Sequence, residues 1–323
     1  MKVVNLVEHP RTEASPKAFK EPRRSTSHLE SQRRFRALFL VCAYLIPLLL
    51  IAAPLLAERP GREIKARYAS QSASGSLARI ELAPLQLQGG SRLTFISPVR
   101  WVPVTTKLSN NLRDTHRFFT DLLGEIPAFS SSIRLMDEET FYATTGAPRW
   151  TNAMYYKGEI IIPLSFKGPL DLRNIARSLK HEYTHAIINA LSNGKCPGWL
   201  DEGLAQWAEG DENPALRPAL NGWLSKHRPI SLGLLQGGFT KLDSDMVPAA
   251  YAQSLFASNT MLNTFGFKPI RNYLDKLRDG MSRREAFAAA FNLDEQSFEA
   301  RLGGALKQWN RELSRKNQKS GSE

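Results

Sequence analysis

Apolar and polar positions fall into three regimes: one unbroken apolar run near the amino terminus, a middle section of short alternating runs around one long helical repeat, and a carboxy-terminal third of helical spacing. The long repeat runs from about Asp171 to Leu191, where Leu172, Ile175, Leu179, Tyr183, Ala186, Ile187, Ala190 and Leu191 recur at intervals that bury one side of a helix. Asn193-Gly194 supplies its stop, and after Lys195-Cys-Pro-Gly the chain re-enters a helix near Leu200. Upstream, Leu108, Leu112, Phe119, Leu122 and Leu123 predict an amphipathic helix ending at Gly124. Ile133 to Met136 reads as a strand. Ala153 to Tyr156 and Glu159 to Leu164 flank Lys157-Gly158 as a hairpin just ahead of the long helix.

Downstream, Asn213-Pro214 has the form of a cap followed by a first-turn proline. Helices are expected at 248–265, 268–279, 282–291 and 294 to about 311, each bounded by Gly, Asn, Ser or Asp. Phe287, Phe291, Phe298, Leu302, Leu306 and Trp309 read as core stripes, and residues 312–323 as a frayed polar tail. Residues 58–92, rich in Ala, Ser, Gln and Gly, read as a flexible stalk with at most one strand before Leu93-Thr-Phe-Ile-Ser. The fold class is therefore α+β: a sheet-containing lobe over 93–210 and an all-helical lobe over 211–311.

The apolar run, Ala37 to Ala57, is uncharged over 21 residues and long enough to cross a bilayer as a helix, even with Pro47 and Pro54 in it. Some 36 residues precede it and its exit lacks a clean small-x-small site, which favours an uncleaved signal anchor over a cleaved leader. The expected arrangement is a single-pass inner-membrane protein with its body on the extracytoplasmic side, secreted if the run is cleaved. Cysteine usage agrees: Cys42 lies in the run, leaving Cys196 outside it with no disulfide partner. The net charge of +12 includes nine basic against four acidic residues in Met1 to Arg36. No stacking aromatics are interleaved with these charges, which argues against nucleic acid and for a membrane surface or a solvated arm.

Candidate chemistry sits on the long helix. His181 and His185 are four residues apart in His181-Glu182-Tyr-Thr-His185, so their imidazoles share a face and can grip one metal ion. A catalytic zinc takes three protein ligands and leaves one position open. The tight return into the next helix lets Glu202 of Trp199-Leu-Asp-Glu202-Gly-Leu-Ala face the histidines as the third. Glu182, beside the first histidine, lies close to the metal without being a ligand and suits a general base.

These two phrases resemble those of the gluzincin metallopeptidases, of the thermolysin and aminopeptidase N type, and are most similar to the short bacterial peptidase-MA-like branch. The resemblance runs from roughly Leu112 to Trp309. It implies one zinc per chain, a peptide or protein substrate, Glu182 as base and a sheet edge, here the hairpin, that holds substrate backbone. It also implies an oxyanion donor from the helical lobe, for which Tyr251 in Ala-Ala-Tyr-Ala-Gln-Ser is the match; a tyrosine packed at a helix start is the other reading. One departure stands out. Gln206 occupies a position that is often acidic in the family and orients a histidine, so it would offer an imidazole a carbonyl oxygen but no charge. That departure is the support for a second hypothesis, a membrane-anchored binding or scaffolding module without turnover.

Overall fold

The computed structural model describes residues 79–320 apart from 150, 166–168, 211–212 and 240–241. The apolar run 37–57, the basic segment before it and residues 58–78 of the expected stalk lie outside the described residues. No described helix is long and apolar enough to cross a membrane.

A mixed sheet forms one side of the body. Its strands are β1 (Arg79–Glu81), β2 (Leu85–Gln86), β3 (Arg92–Pro98), β4 (Ser130–Asp137), β5 (Met154–Tyr156) and β6 (Glu159–Leu164). The order is β1-β3-β4-β6-β5, with β2 also on β3; β3, β4 and β6 run parallel, and β1, β2 and β5 are antiparallel to their neighbours. Parallel neighbours need a crossover, and α1 (Val102–Leu123) provides it between β3 and β4. The β6 residues Ile160, Ile161 and Ile162 are all buried because both faces of the sheet are covered. Ile160 and Ile162 join the main core, whereas Ile161 packs with Met136 and Phe141 of a short helix, α2 (Glu138–Thr145), on the other face.

Two expectations for this lobe are corrected. Residues 79–92 are not stalk, since β1 and β2 pair antiparallel with β3; strands of two and three residues are too short for alternation to reveal. Helix α2 was not expected at all, although Asp137 caps it by accepting from the Thr140 N–H at 3.1 Å.

The long helix is α3 (Leu172–Ser192) and its antiparallel partner α4 (Gly198–Glu209). Asp171 caps α3 by accepting from the N–H groups of Arg173 and Asn174, and Asn193 ends it in the left-handed conformation at φ 52°. Pro197 offers α4 no side-chain cap; the N–H groups of Gly198 and Trp199 donate instead to the carbonyls of Gln236 and Leu235. The other helices are α5 (Leu216–Leu224), α6 (Val247–Phe265), α7 (Phe267–Arg278), α8 (Arg283–Phe291) and α9 (Glu295–Ser320). Asn213 makes a turn onto the Ala215 N–H rather than capping α5 directly. Helix α9 continues well past Arg311, correcting the frayed tail: its last turns contain neither Gly nor Pro and extend from a segment anchored by buried Phe298, Leu302 and Leu306. Arg271 of α7 donates to the carbonyls of Leu123 and Glu125 at the end of α1, joining the helical lobe to the sheet lobe.

Helices α4 and α6 approach closely at Gly203. A Cβ there would lie 2.2 Å from the Ser254 carbonyl oxygen and 2.1 Å from the Ser258 hydroxyl, so only glycine fits between the helices as they stand.

Candidate metal centre

Burying Leu179, Tyr183, Ala186, Ile187 and Leu191 turns His181 and His185 of α3 toward α4, with their rings 4.9 Å apart. From α4, Glu202 meets them: its Oε2 lies 3.6 Å from Nε2 of His181 and 3.8 Å from Nε2 of His185. The three donor atoms lie within 4.8 Å of one another. Tetrahedral zinc with bonds of about 2.0–2.2 Å places its ligand atoms roughly 3.3 Å apart, a few tenths of an ångström less than the two distances from Glu202. Glu202 Oε2 is also buried without a hydrogen-bond partner. An ionised oxygen left so is costly unless a cation meets it, and this donor set fits a divalent metal.

The Nδ1 atoms are held from behind. His181 Nδ1 lies 2.7 Å from Oε1 of Glu209, and His185 Nδ1 lies 2.9 Å from Oδ1 of Asp201. Each carboxylate draws the ring proton to Nδ1 and leaves the Nε2 lone pair for a metal. Arg177 supports Glu209 through Nε at 3.4 Å from its second oxygen. Burial alone lowers the His181 pKa, but the carboxylates of Glu202 and Glu209 carry it well above its ordinary value. Burial likewise works downward on His185, and Asp201 outweighs it, pushing the imidazole up to about 9. Burial raises the Glu202 carboxyl, but the imidazoles of His181 and His185 beside it leave it below the usual range.

Glu182 follows His181 on α3 and is half-buried. Burial raises its pKa, against the pull of both histidines and a hydrogen bond from the Tyr155 backbone N–H. Tyr155 belongs to β5, the sheet edge, at a position paired with Ile160. Next to the Lys157-Gly158 turn this is a non-hydrogen-bonded pair, so the Tyr155 backbone faces outward, toward Glu182. Tyr251 of α6 lies close enough to feel the same charges. Burial raises its hydroxyl pKa, followed by the negative charges of Glu202 and Glu182, so the phenol stays protonated. Its ring packs edge-on against Phe239, with centroids 5.0 Å apart.

A family model of the Peptidase MA superfamily matches residues 137–308, which contain every one of these groups. The chain belongs to that superfamily. Among curated proteins the sequence finds no match. Among solved structures, the chain is similar to Legionella pneumophila aminopeptidase A in complex with aspartic acid, at 16% identity and a TM-score of 0.43, over 69% of this chain and 28% of that one. It is also similar to an M1 zinc metallopeptidase from Deinococcus radiodurans, at 17% identity and a TM-score of 0.41, over 73% of this chain and 52% of that one. The chain thus spans about half or less of the length of these neighbours.

Within this Peptidase MA domain the residues expected from sequence, His181, Glu182, His185, Glu202 and Tyr251, converge on one place. The expectation for Gln206 is corrected. Its amide does not reach an imidazole; Nε2 donates to the carbonyls of Glu202 at 3.2 Å and Tyr251 at 2.9 Å. The charged groups behind the histidines are Asp201 and Glu209, neither of which was singled out in the sequence. Glu209 lies seven residues, two turns, after Glu202 and so on the same face of α4, which was the available signal.

Proposed function

We propose that the chain is a zinc-dependent metallopeptidase that hydrolyses peptide bonds in the cleft between the β5 edge and α6. The observation that carries this reading is the buried, unpartnered Glu202 Oε2 set beside two imidazole Nε2 atoms whose Nδ1 atoms are held by acids. His181, His185 and Glu202 would hold one zinc, which supplies Lewis acidity toward water and a carbonyl.

The chain's own groups account for the remaining steps. Substrate backbone pairs with the outward-facing Tyr155 carbonyl of β5, which lays the scissile carbonyl beside α3. Glu182, whose pKa burial has raised, takes a proton from the attacking water at its carboxylate and passes it to the departing amine. The protonated hydroxyl of Tyr251 donates to the oxyanion as it develops. Gln206 was the support for a scaffold without turnover, and with Asp201 and Glu209 on the histidines that support is gone. The run 37–57 would tether the body to the outer face of a cytoplasmic membrane.

The test compares two conservative variants. Glu182→Gln should keep one zinc per chain and lose activity by several orders of magnitude, because the ligands are untouched and the base is gone. Glu202→Gln should lose zinc as well. Metal analysis with a peptide-library cleavage assay reads both, and equal zinc loss in the two variants would defeat the assignment.

A further inference from the structure

Gln206 is buried, with 8% of its surface exposed, and it stands one turn after Glu202. Its side-chain nitrogen carries two protons and meets two carbonyl oxygens, one from the third metal-binding residue and one from Tyr251. Both neighbours only accept, so the amide orientation follows from chemistry: nitrogen, not oxygen, must face them. A helical carbonyl keeps a second lone pair for such a bond.

The need for this tie lies in α6. Tyr251 is the fifth residue of that helix, and Met246 at its start makes no capping hydrogen bond through its side chain. That start is held within its own chain, by the Met246 and Val247 N–H groups donating to the Asp243 carbonyl and by Pro248 in the first turn, and these bonds do not reach α4. The contact at Gly203 fixes how near α4 and α6 lie, through Ser254 and Ser258, but atoms in steric contact can slide along the helix axis. A hydrogen bond onto the Tyr251 carbonyl resists that sliding at the turn that bears the phenol.

Resting on the metallopeptidase reading, we propose that Gln206 is a positioning residue that fixes the Tyr251 hydroxyl relative to Glu202, and so sets how well the oxyanion is met. An acid at this position accepts but cannot donate twice, so glutamine gives the position a task different from orienting a histidine.

The experiment is a double-mutant cycle on the zinc-loaded protein, with two readouts: kcat on a cleaved peptide, and affinity for a phosphinic dipeptide, whose tetrahedral oxygens imitate the oxyanion, by calorimetry. Gln206→Met keeps the shape and removes both donors. It should retain zinc and KM and lower kcat roughly 10- to 100-fold, the scale of an ångström's misplacement. It should weaken the phosphinate by a similar factor. In a Tyr251→Phe background the same substitution should cost almost nothing, because its effect passes through that hydroxyl. Gln206→Glu, which restores an acid, should also lower kcat; a gain would mean that the position orients a histidine and would overturn the proposal. An equal loss with and without the Tyr251 hydroxyl, or no loss at all, would overturn it too. If wild-type protein neither cleaves peptides nor binds the phosphinate, the metallopeptidase reading falls and this inference with it. Wild-type activity without coupling removes the inference alone.

Discussion

Glu202, His181 and His185 form a set whose charges make sense only with a cation among them. The metal-free cluster takes protons instead: His185 is pushed up to about 9 by Asp201 against the opposing effect of burial. A raised histidine pKa stabilises the folded metal-free protein fully below its ordinary value of about 6.5, and that contribution is lost as pH rises through about 9. Zinc must displace this proton, so its apparent affinity should rise with pH across that window, and calorimetry near pH 7.5 in buffers of different ionisation enthalpy should detect proton release. Binding without release would show that the imidazole was neutral beforehand. Tyr251→Phe should lower kcat about 10²- to 10³-fold with zinc content unchanged. A stability loss with kcat per folded molecule intact would instead mark Tyr251 as a packing residue. The ligands and base were legible in the sequence because helical spacing and a tight return bring them together locally. The groups behind the histidines were not, since carboxylates on a helix such as α4 commonly face solvent, and only the fold shows Asp201 and Glu209 turned onto imidazoles.

Helices α3, α4 and α6 act as a unit because α4 lies between the other two. Trp199 stacks on Phe298 of α9 with ring centroids 5.8 Å apart, and Gly203, one turn further along α4, lets α6 close against it. A methyl group at Gly203 must displace the Ser254 backbone, so Gly203→Ala should cost roughly 1–3 kcal/mol. It should also weaken zinc binding by moving the adjacent Glu202. Denaturant unfolding and metal titration check both, and an unshifted midpoint would contradict the packing described. At this scale the long helices were readable from their repeats, whereas β1, β2 and α2 were not. Arg79 to Glu81 is exposed throughout, and an edge strand of three exposed residues leaves no alternation to recognise.

For the whole molecule, the proposed anchor at 37–57 carries the prediction that the body lies outside the cytoplasm. A reporter that works only outside the cytoplasm should be active when fused after Arg67, and activity of a cytoplasmic reporter at that point would reverse the orientation. That β5, α3 and α6 bring Tyr155, Glu182 and Tyr251 near one another was beyond the sequence, since no local pattern encodes which distant elements meet. The short turn at Asn193 to Pro197 has a kinetic consequence. Loop closure costs little over so few residues, so His185 and Glu202 meet early in any folding route, whereas β3 must find β4 across the whole of α1, and Tyr251 arrives from 49 residues beyond Glu202. A nascent chain therefore assembles the proposed ion-binding triad before it gains the groups of α6 that would act beside it.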